Sequence, residues 1–385
     1  MLEGVNVALG VSGSIAAVKT VELAHELRRQ GASVRAVMTT SAQGIIHPWS
    51  LEFATGNDVV TEITGAVEHV ELCGYDGWAD VLLLAPATAN TIGKVAAAVD
   101  DTPVTTCATT ALGSDVPVLI APAMHEPMYD HPGVLEAIER VERWGVDFVE
   151  PRVEEGKAKI ASEEAIVCDV ARTAGDRPLE GRHVVVTSGA TSEPIDPVRV
   201  LTNRSSGKMG RAVARACYVH GAEVTLVHDG LDVPYADVRP VETAGEMLDV
   251  TLEACADADA LVSAAAISDY TVEPSPEKLR SGQDVTLELE SVPKLLDRVR
   301  QKRSDLAIVA FKTETSDEDA SMVREARRIL ERVDAAFVVA NDASVMGEDR
   351  TRALLVHAED AAEFSGTKAG LADEIAHSLR VVVQS

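Results

Sequence analysis

Asn203, Arg204, Ser205, Ser206 and Gly207 run directly into a stretch of helical periodicity, with Arg199 just before them and Lys208 just after. Free N–H groups at a helix start, serine hydroxyls and three nearby cations together make a receptor for phosphate or carboxylate groups. A second turn of this kind is Gly10-Val-Ser-Gly-Ser-Ile-Ala-Ala17. There Gly13 lets the backbone come close to an anion, and Ser14 offers a hydroxyl at a helix start. Polar side chains also follow three other apolar runs. Thr39 lies in Met38-Thr-Thr-Ser41, while Pro86, Thr88 and Asn90 lie in Ala85-Pro-Ala-Thr-Ala-Asn90. Met124 and His125 lie in Ala121-Pro-Ala-Met-His-Glu-Pro-Met-Tyr129. The chemistry these residues suit is the binding of phosphate-bearing ligands.

Such turns must be held by regular elements. Short apolar runs alternate with helical patterns along the whole chain, which predicts an α/β fold with parallel sheets. In the first half the pattern predicts strands over Val5–Leu9, Val34–Met38, Val81–Ala85, Val104–Ala108 and Val118–Ala121. It also predicts a helix over Ile15–Gln30, ended by Gly31. Ala174-Gly-Asp-Arg-Pro-Leu-Glu-Gly181 breaks both periods, so domains are expected over residues 1–175 and 176–385. In the second half, strands are expected over His183–Thr187, Glu223–Val227, Ala260–Ala264, Leu306–Ala310 and Ala335–Ala340, with a helix over Gly207–His220. Two consecutive Rossmann-like α/β domains follow, and such open sheets bind ligands at the carboxyl ends of their strands.

Composition narrows the class. The 385 residues carry 62 Asp and Glu against 35 Lys and Arg, a formal charge of −27. With no basic tract, sequence-independent nucleic-acid binding is excluded. No apolar run approaches the roughly 20 residues of a membrane span, and the N-terminus reads as a strand and turn instead of a signal peptide. Five well-separated cysteines exclude a zinc knuckle or a disulfide framework, and a reducing, cytoplasmic setting is expected. Lys is scarce (10 against 25 Arg), and Ala and Val fill the apolar positions. This fits a protein of a very salty cytoplasm, where the Debye length shrinks to about 3 Å; an acidic enzyme of an ordinary cytoplasm is the competing reading.

The turn GVSGSIAA, the segment APAT and the segment APAM-x-x-x-M together resemble the flavin-dependent cysteine decarboxylases that bind FMN, a flavodoxin-like fold type. Glu68-His-Val-Glu-Leu72 is similar to that family's histidine element. The resemblance implies that FMN oxidises a substrate thiol to a thioaldehyde, after which the carboxylate leaves. It implies His69 as base or orienting group, a role suited to a side chain titrating near neutrality. FMN would be held by Gly13, Ser14, Thr39, Pro86, Thr88, Asn90 and Met124. His125 stands where the family has an asparagine that holds the substrate. The flap that carries a catalytic cysteine in bacterial members corresponds to Pro151–Ile160, which has none; Glu155, Lys157 and Lys159 are the candidate proton donors. Cys168 reads as a buried helical residue.

Thr187-Ser-Gly-Ala-Thr-Ser-Glu-Pro-Ile-Asp-Pro-Val-Arg-Val-Leu-Thr-Asn-Arg-Ser-Ser-Gly-Lys-Met-Gly210 resembles the signature of phosphopantothenate–cysteine ligases almost position for position. Ala264-Ala-Ala-Ile-Ser-Asp-Tyr270, Pro276-Glu-Lys-Leu279, Ala310-Phe-Lys-Thr-Glu314 and Asn341-Asp342 follow in that family's order. The whole chain thus resembles the bifunctional decarboxylase–ligase family of coenzyme A biosynthesis. The resemblance implies ligation of 4′-phosphopantothenate with cysteine through an acyl-nucleotidyl intermediate, then decarboxylation to 4′-phosphopantetheine. Asn203 would stabilise the intermediate and Lys278 would neutralise phosphate charge. Asp269 would meet the nucleotide or its Mg2+, Phe311 the base, and Ala264, Ala265 and Ala266 the nucleotide site. Arg328 and Arg332, on one helix face, would replace two family lysines. CTP is expected in preference to ATP, and a homo-oligomer, up to a dodecamer, is implied. A ligase whose first half is an inactive or regulatory flavoprotein module is the alternative.

Overall fold

The structure is a computed structural model that describes residues 1–154, 157–282, 284–314, 319–342 and 350–383. The chain divides into two compact units, Met1–Gly175 and Asp176–Ser385.

In the first unit five parallel strands lie in the spatial order Ser33–Met38, Asn6–Val11, Val81–Ala87, Val118–Pro122, Asp147–Phe148. Numbered along the chain this is 2-1-3-4-5, the flavodoxin order, in which the switch point falls between the first and third strands. Val81–Ala87 is buried along its entire length, as expected for a central parallel strand covered on both faces. The helix expected over Ile15–Gln30 is a 3₁₀ turn, Ile15–Lys19, followed by an α-helix, Thr20–Arg29; Ser14 caps the turn and Gly31, at φ 104°, ends the helix.

One expected strand is a helix. Val104–Ala108 lies within the helix Pro103–Gly113. The β-branched run suggested a strand, but Thr102 and Thr105 form a capping box and Pro103 occupies the first turn. Val104, Cys107, Ala108 and Ala111 are buried, a spacing that forms one face of a helix.

The second unit holds an eight-stranded sheet. Its spatial order is Asp237–Pro240, Glu223–His228, His183–Thr187, Ala260–Ser263, Ala307–Glu314, Phe337–Asp342, Arg350–Val356, Ala361–Thr367. The first six strands are parallel and run 3-2-1-4-5-6 along the chain, the Rossmann order; the last two are antiparallel additions. The switch point therefore separates His183–Thr187 from Ala260–Ser263. A helix, Lys208–Val219, follows the signature loop, with Gly207 at φ 67° as its N-cap and His220 as its C-cap.

Candidate active sites

At the switch point of the first unit a cavity of about 340 Å³ is lined by Gly13, Thr39, Ser41, Thr88, Asn90, Thr91, Lys94, Thr102, Thr105 and Met128. Three helix starts meet there. Thr39 accepts from Ala42 N–H, Thr88 from Thr91 N–H and Thr102 from Thr105 N–H, so three of the hydroxyl-bearing residues in the lining also cap helices. A Cβ on Gly13 would come within 2.5 Å of Ser41 Oγ, so only glycine allows this approach. Ser12 braces the site from below: its buried hydroxyl donates to Pro86 C=O at 2.7 Å and accepts from Thr88 N–H at 3.1 Å.

Four expected FMN residues line this cavity: Gly13, Thr39, Thr88 and Asn90. Three do not. Ser14 spends its hydroxyl on Ala123 C=O and on Ala16 N–H, Pro86 contributes its carbonyl to Ser12, and Met124 packs against the core. Ser41, Thr91, Thr102 and Thr105 are additional hydroxyls in the lining; the T-x-x-T capping pattern was the sequence signal for Thr91, Thr102 and Thr105, and Ser41 lies in the turn after the second strand. The hydroxyl-rich cradle and the glycine approach fit the phosphate and sugar-alcohol chain of FMN.

His69 lies outside this lining, on the short helix Glu68–Cys73. Its Nδ1 is buried and has no hydrogen-bond partner among the described residues. The residue before that helix, Val67, has φ 50°, which is costly for a β-branched side chain. His125 sits on the two-residue strand Met124–His125, whose backbone pairs antiparallel with Lys157–Lys159; His125 is in register with Lys157. The cysteine-free flap therefore returns to the residue expected to hold substrate. Glu155 lies outside the described residues. Cys168 is buried in the helix Glu163–Ala174, as expected.

The second unit carries a cavity of about 550 Å³ at its own switch point. Its floor is stapled together by backbone bonds. Ala264 N–H donates to Thr187 C=O, Ala266 N–H to Gly189 C=O, and Asn203 Nδ2 to Ala266 C=O at 2.9 Å. Gly210 packs so tightly that a Cβ would fall 2.5 Å from Ser188, whose Oγ donates to Gly207 C=O. The acids of the signature loop are fasteners. Buried Glu193 accepts from Ala244 N–H and Thr271 Oγ1, and Asp196 accepts from the N–H groups of Val198, Arg199 and Leu279. Burial alone would raise the Asp196 carboxyl; those three donors and the Arg199 guanidinium outweigh it and hold it below the usual carboxylate range.

Asn203, Arg204, Ser205, Ser206, Gly207, Lys208, Ala264, Ala265, Ala266, Asp269, Phe311 and Arg332 all line the cavity. Three expected residues do not. Arg199 turns its guanidinium to Asp196 at 3.1 Å and to Leu279 C=O at 2.8 Å, so it fixes the loop. Lys278 is exposed beside Leu279, away from the lining. Arg328 is exposed and pairs with Glu325, one turn away on its own helix. Lys294, Lys312 and Lys368, which were not expected at the site, join Arg204, Lys208 and Arg332 in the lining. Lys294 is ion-paired with Asp269. Arg332 is ion-paired with Asp297 at 3.3 Å. Among the described residues Asp269 is the single carboxylate in that lining, beside six basic side chains.

Two successive α/β units of doubly wound topology, each with a polar cavity at its switch point, place the chain among tandem-domain α/β proteins. Residues 1–175 match the family described as "Flavoprotein", and residues 179–382 match "DNA/pantothenate metabolism flavoprotein C-terminal domain". The chain is 49% identical over 361 residues to the coenzyme A biosynthesis bifunctional protein CoaBC of Thermococcus kodakarensis, covering 92% of this chain and 89% of that one. It is 36% identical to the protein of the same name from Methanocaldococcus jannaschii, covering 100% and 96%. The Bacillus subtilis protein is 35% identical, covering 90% and 88%. A solved C-terminal domain of a CoaBC protein is 28% identical with TM-score 0.47, over 54% of this chain and 99% of that one. The chain belongs to the CoaBC family of bifunctional coenzyme A biosynthesis proteins.

Proposed function

We propose that the second unit joins 4′-phosphopantothenate to cysteine and that the first unit decarboxylates the product to 4′-phosphopantetheine. The observation that carries the ligase reading is a cavity at a Rossmann switch point whose lining brings together the Asn203–Lys208 loop, Phe311 and basic side chains from several elements. A carboxylate oxygen of the substrate attacks the α-phosphorus of a nucleoside triphosphate, the bond to the β-phosphate breaks, and pyrophosphate leaves. The amine of cysteine then attacks the acyl carbon; the acyl–oxygen bond breaks, the nucleotide departs, and the nitrogen loses a proton. Arg204, Lys208, Lys294, Lys312, Arg332 and Lys368 neutralise phosphate charge in both steps. Asn203, anchored on Ala266, holds the acyl-nucleotidyl group, and Phe311 packs on the base. Mg2+ commonly needs only one or two protein carboxylates beside substrate phosphates, and Asp269 would supply one.

In the first unit, Gly13, Thr39, Ser41, Thr88 and Asn90 would hold FMN. When bound, FMN would supply the two-electron oxidation that places an electron sink beside the departing carboxylate, and the same two electrons would return to the enethiol left after CO2 departs, so that the product is a thiol again. His69, whose Nδ1 has no hydrogen-bond partner among the described residues, would hold or move the proton of this step. His125 would donate to the substrate carboxylate, and Lys157, Lys159 and Glu155 are the candidates to return a proton to the product. CTP is proposed ahead of ATP as co-substrate, and the protein is proposed to work as a homo-oligomer in the cytoplasm of a halophilic archaeon. No helix among the described residues is long and apolar enough to cross a membrane.

The test is direct. Purified protein in high KCl is given 4′-phosphopantothenate, cysteine, Mg2+ and either CTP or ATP, and pyrophosphate and CO2 are followed together. Both products are expected. Pyrophosphate without CO2 removes the decarboxylase assignment and leaves a ligase with a flavoprotein module.

A further inference from the structure

The helix Lys208–Val219 packs against the last helix, Lys368–Val383. Both begin at the larger cavity, which Lys208, Met209, Lys368 and Leu371 help to line. Farther along this pair, His220 from the end of the first helix meets Asp373 and His377 from the second. Asp373 and His377 are four residues apart and so share a helix face. His220 Nε2 lies 2.7 Å from Asp373 Oδ1, and the two imidazole rings stand 4.8 Å apart at 82°. One potential ligand atom from each of the three residues lies within 4.8 Å of the others. His220 Nδ1 is buried, which leaves Nε2 as the nitrogen facing the cluster. His377 Nδ1 lies 3.3 Å from Asp373 C=O, leaving its own Nε2 for a ligand.

We propose that His220, Asp373 and His377 bind one transition-metal ion of the zinc–cobalt class and thereby cross-link the two helices whose first turns line the cavity. Two imidazoles and one carboxylate are a borderline donor set suited to such ions; Mg2+ and Ca2+ prefer all-oxygen shells. Metal–ligand bonds of about 2.0–2.2 Å place tetrahedral donors about 3.3–3.5 Å apart. The His220–Asp373 separation of 2.7 Å is shorter than this and no pair of ligand atoms exceeds 4.8 Å, so small side-chain adjustments bring all three donors to it. Asp373 and His377 are exposed, so their rotamers can adjust, while the partly buried His220 serves as anchor. Three protein donors leave a fourth position for water. None of the three residues lines the cavity, so the ion has a structural role and stabilises the folded chain by mass action.

The test uses the full-length protein stripped with a chelator and titrated with Co2+, read by its visible absorption, with thermal melts in the presence and absence of Zn2+. One ion per chain and a Zn2+-dependent rise in melting temperature are expected. His377→Ala and Asp373→Asn change exposed side chains; each should melt like the parent without metal and bind Co2+ at least about tenfold more weakly, since losing a ligand exceeds the effect of losing an outer-shell partner. A parent that binds no Co2+ overturns the proposal. So do variants that bind it as tightly as the parent, because the ion then sits elsewhere.

Discussion

The ammonium of Lys294 is ion-paired with the carboxylate of Asp269 at the rim of the larger cavity. Both side chains are more than half exposed, so the pair contributes little to stability. Its consequence is electrostatic: it masks the one carboxylate that lines the cavity among the described residues, where the proposed nucleoside triphosphate would bind. Lys294→Ala would unmask that charge and remove one phosphate partner. A lost charge-assisted bond of about 1.5–3 kcal/mol corresponds to about a tenfold to hundredfold fall in ligase kcat/KM. Most of it should appear in the nucleotide KM, with the melting temperature unchanged and CO2 release from preformed 4′-phosphopantothenoylcysteine unchanged. An unaltered nucleotide KM would reduce the pair to a surface contact.

Gly13→Ala tests the smaller cavity. The added Cβ would stand 2.5 Å from Ser41 Oγ and 3.1 Å from the Ser41 carbonyl carbon, so Ser41 has to move. Overpacking of this kind costs about 1–3 kcal/mol, and relieving it by displacing a cofactor contact should weaken flavin retention about tenfold. Flavin absorbance per chain after gel filtration reports this, and ligation should be untouched. Full flavin retention would mean that the cofactor does not sit against this turn.

His69→Asn should separate binding from chemistry. The imidazole Nδ1 is buried without a partner among the described residues, so its removal breaks no hydrogen bond of that nitrogen. A proton-transfer role is worth about 10²–10⁴-fold in rate. CO2 release should therefore fall by about 10²-fold or more, while flavin absorbance and pyrophosphate release persist. A variant that decarboxylates at the parental rate removes His69 from the mechanism.

The two switch-point turns were legible because their chemistry is local. Gly13 and Gly207 mark close backbone approach, and Thr39, Thr88 and Asn203 stand at element ends that any parallel sheet brings together. What could not be read was partner choice. Arg199 and Arg204 look alike in a basic loop, yet Asp196, buried beneath the loop, claims Arg199 and leaves Arg204 to the cavity. Lys294, Lys312 and Lys368 come from three distant elements and carry no local signal; only the sheet order assembles them. Val104–Ala108 misled because its β-branched residues outweighed the Thr102–Thr105 capping box in a short window. The antiparallel pair Arg350–Val356 and Ala361–Thr367 lengthens the sheet beyond the nucleotide-binding unit, which the alternating pattern gave no reason to expect.

His228 links folding to pH. It is fully buried at the end of the strand Glu223–His228, and neither ring nitrogen makes a well-formed hydrogen bond among the described residues. Burial lowers its pKa from the ordinary 6.5, the nearby Arg211 charge adds to the shift, and Asp229, the Leu231 backbone and Asp232 oppose it. The unfolded chain takes up a proton here near pH 6.5 while the folded chain resists, so the unfolded state binds more protons below that value. Stability from this group is present above about pH 6.5 and is lost as the pH falls through it. His228→Leu should flatten the melting temperature between about pH 7.5 and 5.5. An undiminished slope would assign the acid sensitivity to other groups.

Salt acts on the two halves of the charge distribution in opposite directions. The chain has 62 acidic and 35 basic side chains, so 62 − 35 = 27 carboxylates lack any cation to balance them, and their mutual repulsion opposes folding. The surface ion pairs, such as Arg29–Glu26 and Arg35–Glu71, are weakened by salt, but each contributes little. Relief of repulsion should therefore win as the Debye length falls from about 8 Å at 0.15 M to about 3 Å at 1 M. A rise in melting temperature of roughly 5–10 °C is expected over that range, equivalent to about 2–3 kcal/mol for a unit of this size. The cavity cations would attract the proposed nucleotide through the same screened field, so its KM should increase with KCl even as the fold becomes more stable. Melting curves and nucleotide KM measured on one KCl series distinguish the two effects. A flat or falling melting temperature would favour an acidic enzyme of an ordinary cytoplasm over a salt-adapted one.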